Sequence, residues 1–184
     1  MRKEIRLAGF GGQGIVLAGY ILGKAAALYG GKDAILTQSY GPEARGGACS
    51  AELVVDDQAI DYPMLESPSL LVLMSQEAFE KYGSRVAPGA TVIVESDLVQ
   101  GAPKDWPGVP ATRLAEELGA RISANIVMLG FLTGVTGLLE RQAVEEAVRT
   151  SVPARTVDLN VKAFAAGYDY ALQRAQADAR RVKA

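Results

Sequence analysis

The stretch Ile5-Arg6-Leu7-Ala8-Gly9-Phe10-Gly11-Gly12-Gln13-Gly14 runs from an apolar, strand-like segment through a glycine-rich turn into the helix-like Ile15-Val16-Leu17-Ala18. Strand, glycine turn and helix in that order open an α/β fold. Glycine reaches backbone angles closed to other residues, and amides at the N-terminus of a following helix point outward and attract anions. Gly9, Gly11, Gly12, Gln13 and Gly14 are therefore a candidate anion- or cofactor-binding loop. Gly9, Gly11 and Gly14 also satisfy G-x-G-x-x-G, which in a dinucleotide site is joined by an acidic residue that holds a ribose hydroxyl at the end of the second strand. Here that strand reads Ala34-Ile35-Leu36-Thr37 and ends in Gln38-Ser39-Tyr40, with Asp33 at its beginning. The missing acid and the extra Gly12 beside Gln13 weigh against NAD. A tight strand-to-helix turn that binds nothing is the bland alternative.

A second turn-rich loop follows that strand: Gln38-Ser39-Tyr40-Gly41-Pro42-Glu43-Ala44-Arg45-Gly46-Gly47. Pro42 fixes one backbone angle and Gly46-Gly47 relax the next. Arg45 carries a planar guanidinium suited to a two-pronged hold on a carboxylate or phosphate, although a lone exposed arginine is usually only a surface charge. Tyr40 reads equally as a ligand or subunit contact and as a packed aromatic. Asn125, near the start of a helix, reads as a contact or as a cap.

Strands are expected at about residues 4 to 8, 34 to 38, 49 to 55, 70 to 74 and 90 to 94, with a short helix over Gln76 to Tyr82 between the last two. Leu70 to Met74 and Thr91 to Val94 have the unbroken apolar character of parallel strands buried on both faces. Ala48 to Val55 could instead pair antiparallel, since only a loop precedes it and Asp56-Asp57-Gln58 reads as a hairpin-like turn. The first helix, about Gly14 to Tyr29, places Ile15, Ala18, Ile21, Leu22, Ala25 and Leu28 at helical spacing and should be largely buried, in the core or against another subunit. Gln100 to Pro110 reads as a surface connection. Three helices are expected from Ser123 onward, at Ser123 to Gly134, Glu140 to Thr150 and Val157 to about Arg174, with a solvated basic end beyond them.

The 184 residues, 49% of them hydrophobic, suit one domain over residues 1–184. A formal charge of -2 leaves no electrostatic footprint for nucleic acid, and no apolar run is long enough for a membrane span. The opening Met1-Arg2-Lys3-Glu4 enters a strand-like run rather than a signal-peptide core, which favours the cytoplasm. There is no histidine and one cysteine, Cys49, so the chain cannot build an iron-sulfur site, a disulfide or an ordinary zinc site from its own residues. Histidine-based nucleophile arrangements are excluded as well, and no catalytic residue stands out. Cys49 reads as a small packed side chain.

Together the GxGGQG turn and the Q-S-Y-G-P-E-A-R-G-G loop resemble the gamma subunit of the 2-oxoacid:ferredoxin oxidoreductases, whose members open with the first and continue with the second. Ile60-Asp61-Tyr62-Pro63, Leu70 to Phe79 and Asn125 to Gly130 are similar to the family's middle and C-terminal blocks, and Asn160, Ala163-Phe164 and Gly167 to its closing helix. The resemblance covers nearly the whole chain, and this version of the loop is most similar to the 2-oxoglutarate-type enzymes. It implies a single Rossmann-like, three-layer α/β domain with a mostly parallel sheet and a helical C-terminal part.

The resemblance also implies chemistry. Such enzymes decarboxylate a 2-oxoacid on thiamine diphosphate held between alpha and beta subunits. They pass electrons through iron-sulfur clusters to ferredoxin, and deliver the acyl group to coenzyme A. The gamma subunit carries no cluster cysteines, so this chain is expected to be inactive and free of bound cofactor or metal by itself. Its expected partners are alpha, beta and ferredoxin-like delta subunits, and the isolated chain could form a homodimer. The glycine loop could hold a phosphate of coenzyme A or another anion, while Tyr40, Glu43, Arg45, Gly46, Gly47 and Asn125 are candidate ligand or subunit contacts. Two other readings are a free-standing nucleotide-binding module and a purely structural assembly subunit.

Overall fold

The computed structural model describes residues 1–40 and 48–182. Six strands are defined: β1 (Lys3–Phe10), β2 (Asp33–Tyr40), β3 (Ala48–Asp56), β4 (Leu70–Leu73), β5 (Thr91–Glu95) and β6 (Gly108–Val109). They form one mixed sheet in the order β2-β3-β1-β4-β5-β6. β1, β4, β5 and β6 run parallel, and β3 lies antiparallel between β1 and β2. The helices are α1 (Ile15–Lys24), α2 (Gln76–Tyr82), α3 (Ala111–Glu117), α4 (Ala124–Thr136), α5 (Arg141–Arg149) and α6 (Val157–Val182). None of the described helices is long and apolar enough to cross a membrane.

Alternation along β1 divides the core. Ile5 and Leu7 pack with Leu53, Val72 and Ile93 against α1, α4 and α6, whereas Ala8 packs with Leu71, Leu73, Val92 and Val94 against Ala78 and Phe79 of α2. The sheet is thus covered by helices on both faces, as expected of a three-layer α/β fold. β4 and β5 are almost wholly buried, in keeping with their unbroken apolar runs.

Four features differ from the sequence reading. Asp56-Asp57-Gln58 does not start a hairpin: the chain leaves β3 and passes to β4 on the other side of β1. Arg2 holds that passage through the carbonyls of Tyr62 and Met64, and Glu4 holds it through the amides of Glu66 and Ser67. The first helix changes to a π-helical turn over Ala25–Tyr29, which shifts the helical phase and leaves Leu28 67% exposed. Within the segment expected to be a surface connection, Gly108 and Val109 are buried and add β6 to the sheet edge. Finally, the C-terminal helix continues to Val182, and its basic Arg174 donates to the carbonyls of Gly108 and Trp106 at 3.1 and 3.4 Å.

α4 and α6 cross at very close range. Their contact runs through Gly130, Gly134 and Gly167, where a Cβ would be driven into Phe164, Ala171 and Val127 respectively. Ser123 and Asn160 tie the same pair of helices with a buried hydrogen bond of 3.0 Å. This packing fixes where α4 begins, and so positions the site described next.

Candidate functional site

The glycine-rich loop joins β1 to α1 at the carboxyl end of the sheet, where open α/β sheets place their ligand crevices. A turn closes it, with the Gln13 amide donating to the Phe10 carbonyl at 3.1 Å. Gly14 has φ 72°, a left-handed conformation that suits glycine and turns the chain into α1. The Gln13 side chain is fully engaged within the protein: its Oε1 accepts from the Phe10 amide at 2.7 Å and its Nε2 donates to the Met74 carbonyl at 2.8 Å. It clasps the loop to the end of β4. Gly9 lies directly beneath this clasp, and a Cβ there would strike Gln13 Oε1 and Ile15.

Asn125 is 2% exposed, and its Nδ2 donates to the Gly14 carbonyl at 3.1 Å while its Oδ1 accepts from the Ile126 amide. It lies inside α4, one residue past the first helical position, and locks the beginning of α4 to the beginning of α1. The sequence reading weighed a contact against a cap, and the partner is a carbonyl of the glycine loop itself.

Beside the loop is a cleft of about 400 Å³ lined by Gly12, Gln13, Leu98, Thr112, Arg121 and Ala124, with Ile122 at its rim. Ile122 is 84% exposed, unusual for so apolar a side chain. Arg121 is the cation of the cleft and pairs with Glu116 at 3.0 Å, both side chains being largely exposed. Behind the wall is Glu95, the last residue of β5, whose Oε2 accepts from the Leu98 amide at 2.6 Å and whose Oε1 accepts from the Thr112 amide at 3.2 Å. Burial pushes its carboxyl above the ordinary value, although the amides of Thr112, Leu98 and Asp97 oppose that effect.

Sequence reasoning missed Glu95, Leu98, Thr112, Arg121 and Ile122. For Glu95 a signal existed: it is a charged residue closing the apolar run Val92-Ile93-Val94 at the carboxyl end of a parallel strand. The cleft wall had no such signal, because its residues come from four separate segments.

β2 ends and β3 begins at the same end of the sheet as the glycine-rich loop. Tyr40 is opposite Cys49, and Cys49 is opposite Gly9 on β1. The two motifs are therefore separated by β3 and do not follow neighbouring strands. Glu43, Arg45, Gly46 and Gly47 lie outside the described residues, and Tyr40 is the last residue of β2. Cys49 is buried, and burial raises its thiol pKa and so disfavours the thiolate.

Comparison with known proteins bears on what this arrangement serves. The family model described as pyruvate ferredoxin/flavodoxin oxidoreductase matches residues 4–170. The chain belongs to that family. Among its relatives, the 2-oxoglutarate synthase subunit KorC of Methanocaldococcus jannaschii is 50% identical over 177 residues, covering 93% of this chain and 95% of the relative. The gamma subunit of keto/oxoacid ferredoxin oxidoreductase from Geobacter sulfurreducens superposes with a TM-score of 0.84 at 39% identity, covering 94% of this chain and 98% of that one. The 2-oxoglutarate:ferredoxin oxidoreductase of Magnetococcus marinus shares the fold, with a TM-score of 0.81 at 20% identity over 94% of this chain and 31% of that one. Membership of this oxidoreductase family, and likeness to its separate gamma-type subunits, agree with the reading of the two loops.

Proposed function

We propose that the chain is the gamma subunit of a multi-subunit 2-oxoacid:ferredoxin oxidoreductase, acting in the cytoplasm with alpha, beta and ferredoxin-like delta subunits. The complex converts a 2-oxoacid, 2-oxoglutarate by this reading, with coenzyme A to acyl-CoA and CO2 and reduces ferredoxin. The observation that carries the assignment is the likeness to 2-oxoglutarate synthase subunits over nearly the full length of both chains. The residues do not fit an iron-sulfur cluster, since one buried cysteine cannot supply its thiolates. Cluster chemistry is accordingly assigned to the other subunits, and thiamine diphosphate is assigned to them by the family resemblance alone.

For this chain we propose a binding role at the cleft beside the glycine loop. Gly12 offers backbone and Arg121 a guanidinium to an anionic group, a phosphate of coenzyme A being the candidate. Arg45, outside the described residues, is proposed as a further cation for the ligand. The clasped Gln13 makes its side chain a support for the loop rather than a ligand contact.

Reconstitution tests the assignment. The purified chain alone should not reduce an electron acceptor with 2-oxoglutarate, and adding it to the other subunits should restore coenzyme A-dependent turnover. Activity of the lone chain, or full activity of a complex lacking it, would overturn the reading. Arg45→Ala should raise the KM for coenzyme A by about 10- to 100-fold, the usual effect of losing a charge-assisted contact.

A further inference from the structure

Glu95 is wholly buried, and no step of the proposed chemistry needs a carboxylate at that place. Its position is nonetheless specific. Each of its two oxygens holds the backbone amide of a residue lining the cleft: Leu98, from the turn after β5, and Thr112, from the first turn of α3. The turn and the helix meet the sheet separately, through Val99 beneath α2 and through Ala111 and Ala115 in the opposite core. The Glu95 carboxylate joins them by a buried link at the wall of the cleft, beside the exposed pair of Asp97 and Arg113. Burying a carboxylate is costly for stability, and an apolar residue at the end of an apolar strand would be the cheaper choice for the fold alone.

We propose that Glu95 is a positioning residue of the cleft, holding the Leu98 and Thr112 walls at the spacing that receives the ligand. The inference rests on the reading of this cleft as the ligand site. Glu95 also occupies the Thr112 amide at the start of α3, so the anionic part of the ligand is directed to the other side, toward Gly12 and Arg121. The nearby Asp97 adds an exposed tie between the same turn and α3, pairing with Arg113 at 3.2 Å.

The test uses the reconstituted complex with coenzyme A and 2-oxoglutarate as variable substrates. Glu95→Gln keeps the size of the side chain but can accept from only one of the two amides. It should raise the KM for coenzyme A about tenfold, as loss of a supporting hydrogen bond does, and leave kcat within about twofold. A purely structural role would lower the amount of active complex, and hence apparent kcat, at unchanged KM. Glu95→Asp, which retracts the carboxylate by one methylene, reads the same split should Glu95→Gln fail to assemble. Leu98→Trp fills the cleft from its exposed side and serves as the reference. If Leu98→Trp raises the KM and the Glu95 variants do not, the Glu95 inference is overturned while the cleft reading survives. If Leu98→Trp changes neither constant, the cleft reading falls and this inference with it.

Discussion

The side-chain amide of Asn125 donates to the carbonyl of Gly14 at 3.1 Å, across 111 residues of sequence. The same carbonyl accepts the first helical bond of α1 from the Ala18 amide at 2.9 Å, so both of its lone pairs are engaged. A Cβ at position 14 would collide with Asn125, which makes the glycine a requirement of this contact as well as of its own backbone angle. The start of α1, the start of α4 and the glycine loop therefore form one rigid corner of the cleft.

Asn125→Ala should cost about 1 to 3 kcal/mol, because it leaves the buried Ile126 amide without its side-chain acceptor and the Gly14 carbonyl without its second donor. Asn125→Asp should cost at least as much, since a carboxylate cannot donate and would face a carbonyl oxygen. Urea unfolding of the two variants and the wild type checks both statements, and an Asn125→Asp variant as stable as wild type would contradict the assigned donor.

Gln13→Ala removes the clasp between the loop and β4, and should destabilise the chain by about 1 to 3 kcal/mol for two lost hydrogen bonds. Its sharper signature is local. Exchange of the Phe10 amide, measured by mass spectrometry or NMR, should speed up well beyond the global change, because that amide loses its acceptor.

Gly167→Ala should be among the most damaging single methyl additions in the protein, since the new Cβ would be driven into the Val127 carbonyl of α4. Overpacking of this kind costs about 1 to 3 kcal/mol, and more where backbone must move. Gly137→Ala is the control: it has open space around it and a left-handed φ of 57°, so only the backbone term of about 1 kcal/mol applies. Thermal melting should rank the two in that order.

Stability should depend on pH through Glu4. Burial raises its carboxyl pKa, but the Ser67 amide, the Arg2 guanidinium and the Glu66 amide together hold it below the ordinary value. A carboxyl whose pKa is lower in the folded protein binds protons more readily when unfolded, so its contribution is complete above the ordinary glutamate range and is lost as pH falls through the folded value. Glu4→Gln should therefore be less stable than wild type at pH 7, and the gap should close as the pH is lowered below about 4.5, the ordinary value. Denaturant midpoints of the pair at several pH values give the answer. Glu95 works in the opposite sense, its raised carboxyl favouring the folded state less as pH rises above the ordinary range.

How much could be read in advance depended on how local each signal was. The helix Gln76–Tyr82 was legible to the residue, because Ser75 caps it with its side chain on the Ala78 amide and Gly83 follows its last residue. The long apolar runs of β4 and β5 were equally plain. The two-residue β6 was not, since it carries no periodicity and exists only because Gly108 and Val109 complete the edge of β5. The exposure of Leu28 was missed because an ideal helical period does not register a π-turn.

The sequence by itself determined the strand-turn-helix opening, the layered α/β class, the absence of histidine and of cluster cysteines, and the likeness to the oxidoreductase gamma subunits. Each of these resides in composition, in short-range periodicity or in contiguous motifs. Tertiary structure decided the insertion of β3 between β1 and β2, the Asn125 lock on Gly14 and the Glu95 link between Leu98 and Thr112. The reason is physical. A side-chain period says which face of an element is buried but not which element covers it, and a hydrogen-bond donor acquires its acceptor only when packing brings distant segments within about 3 Å.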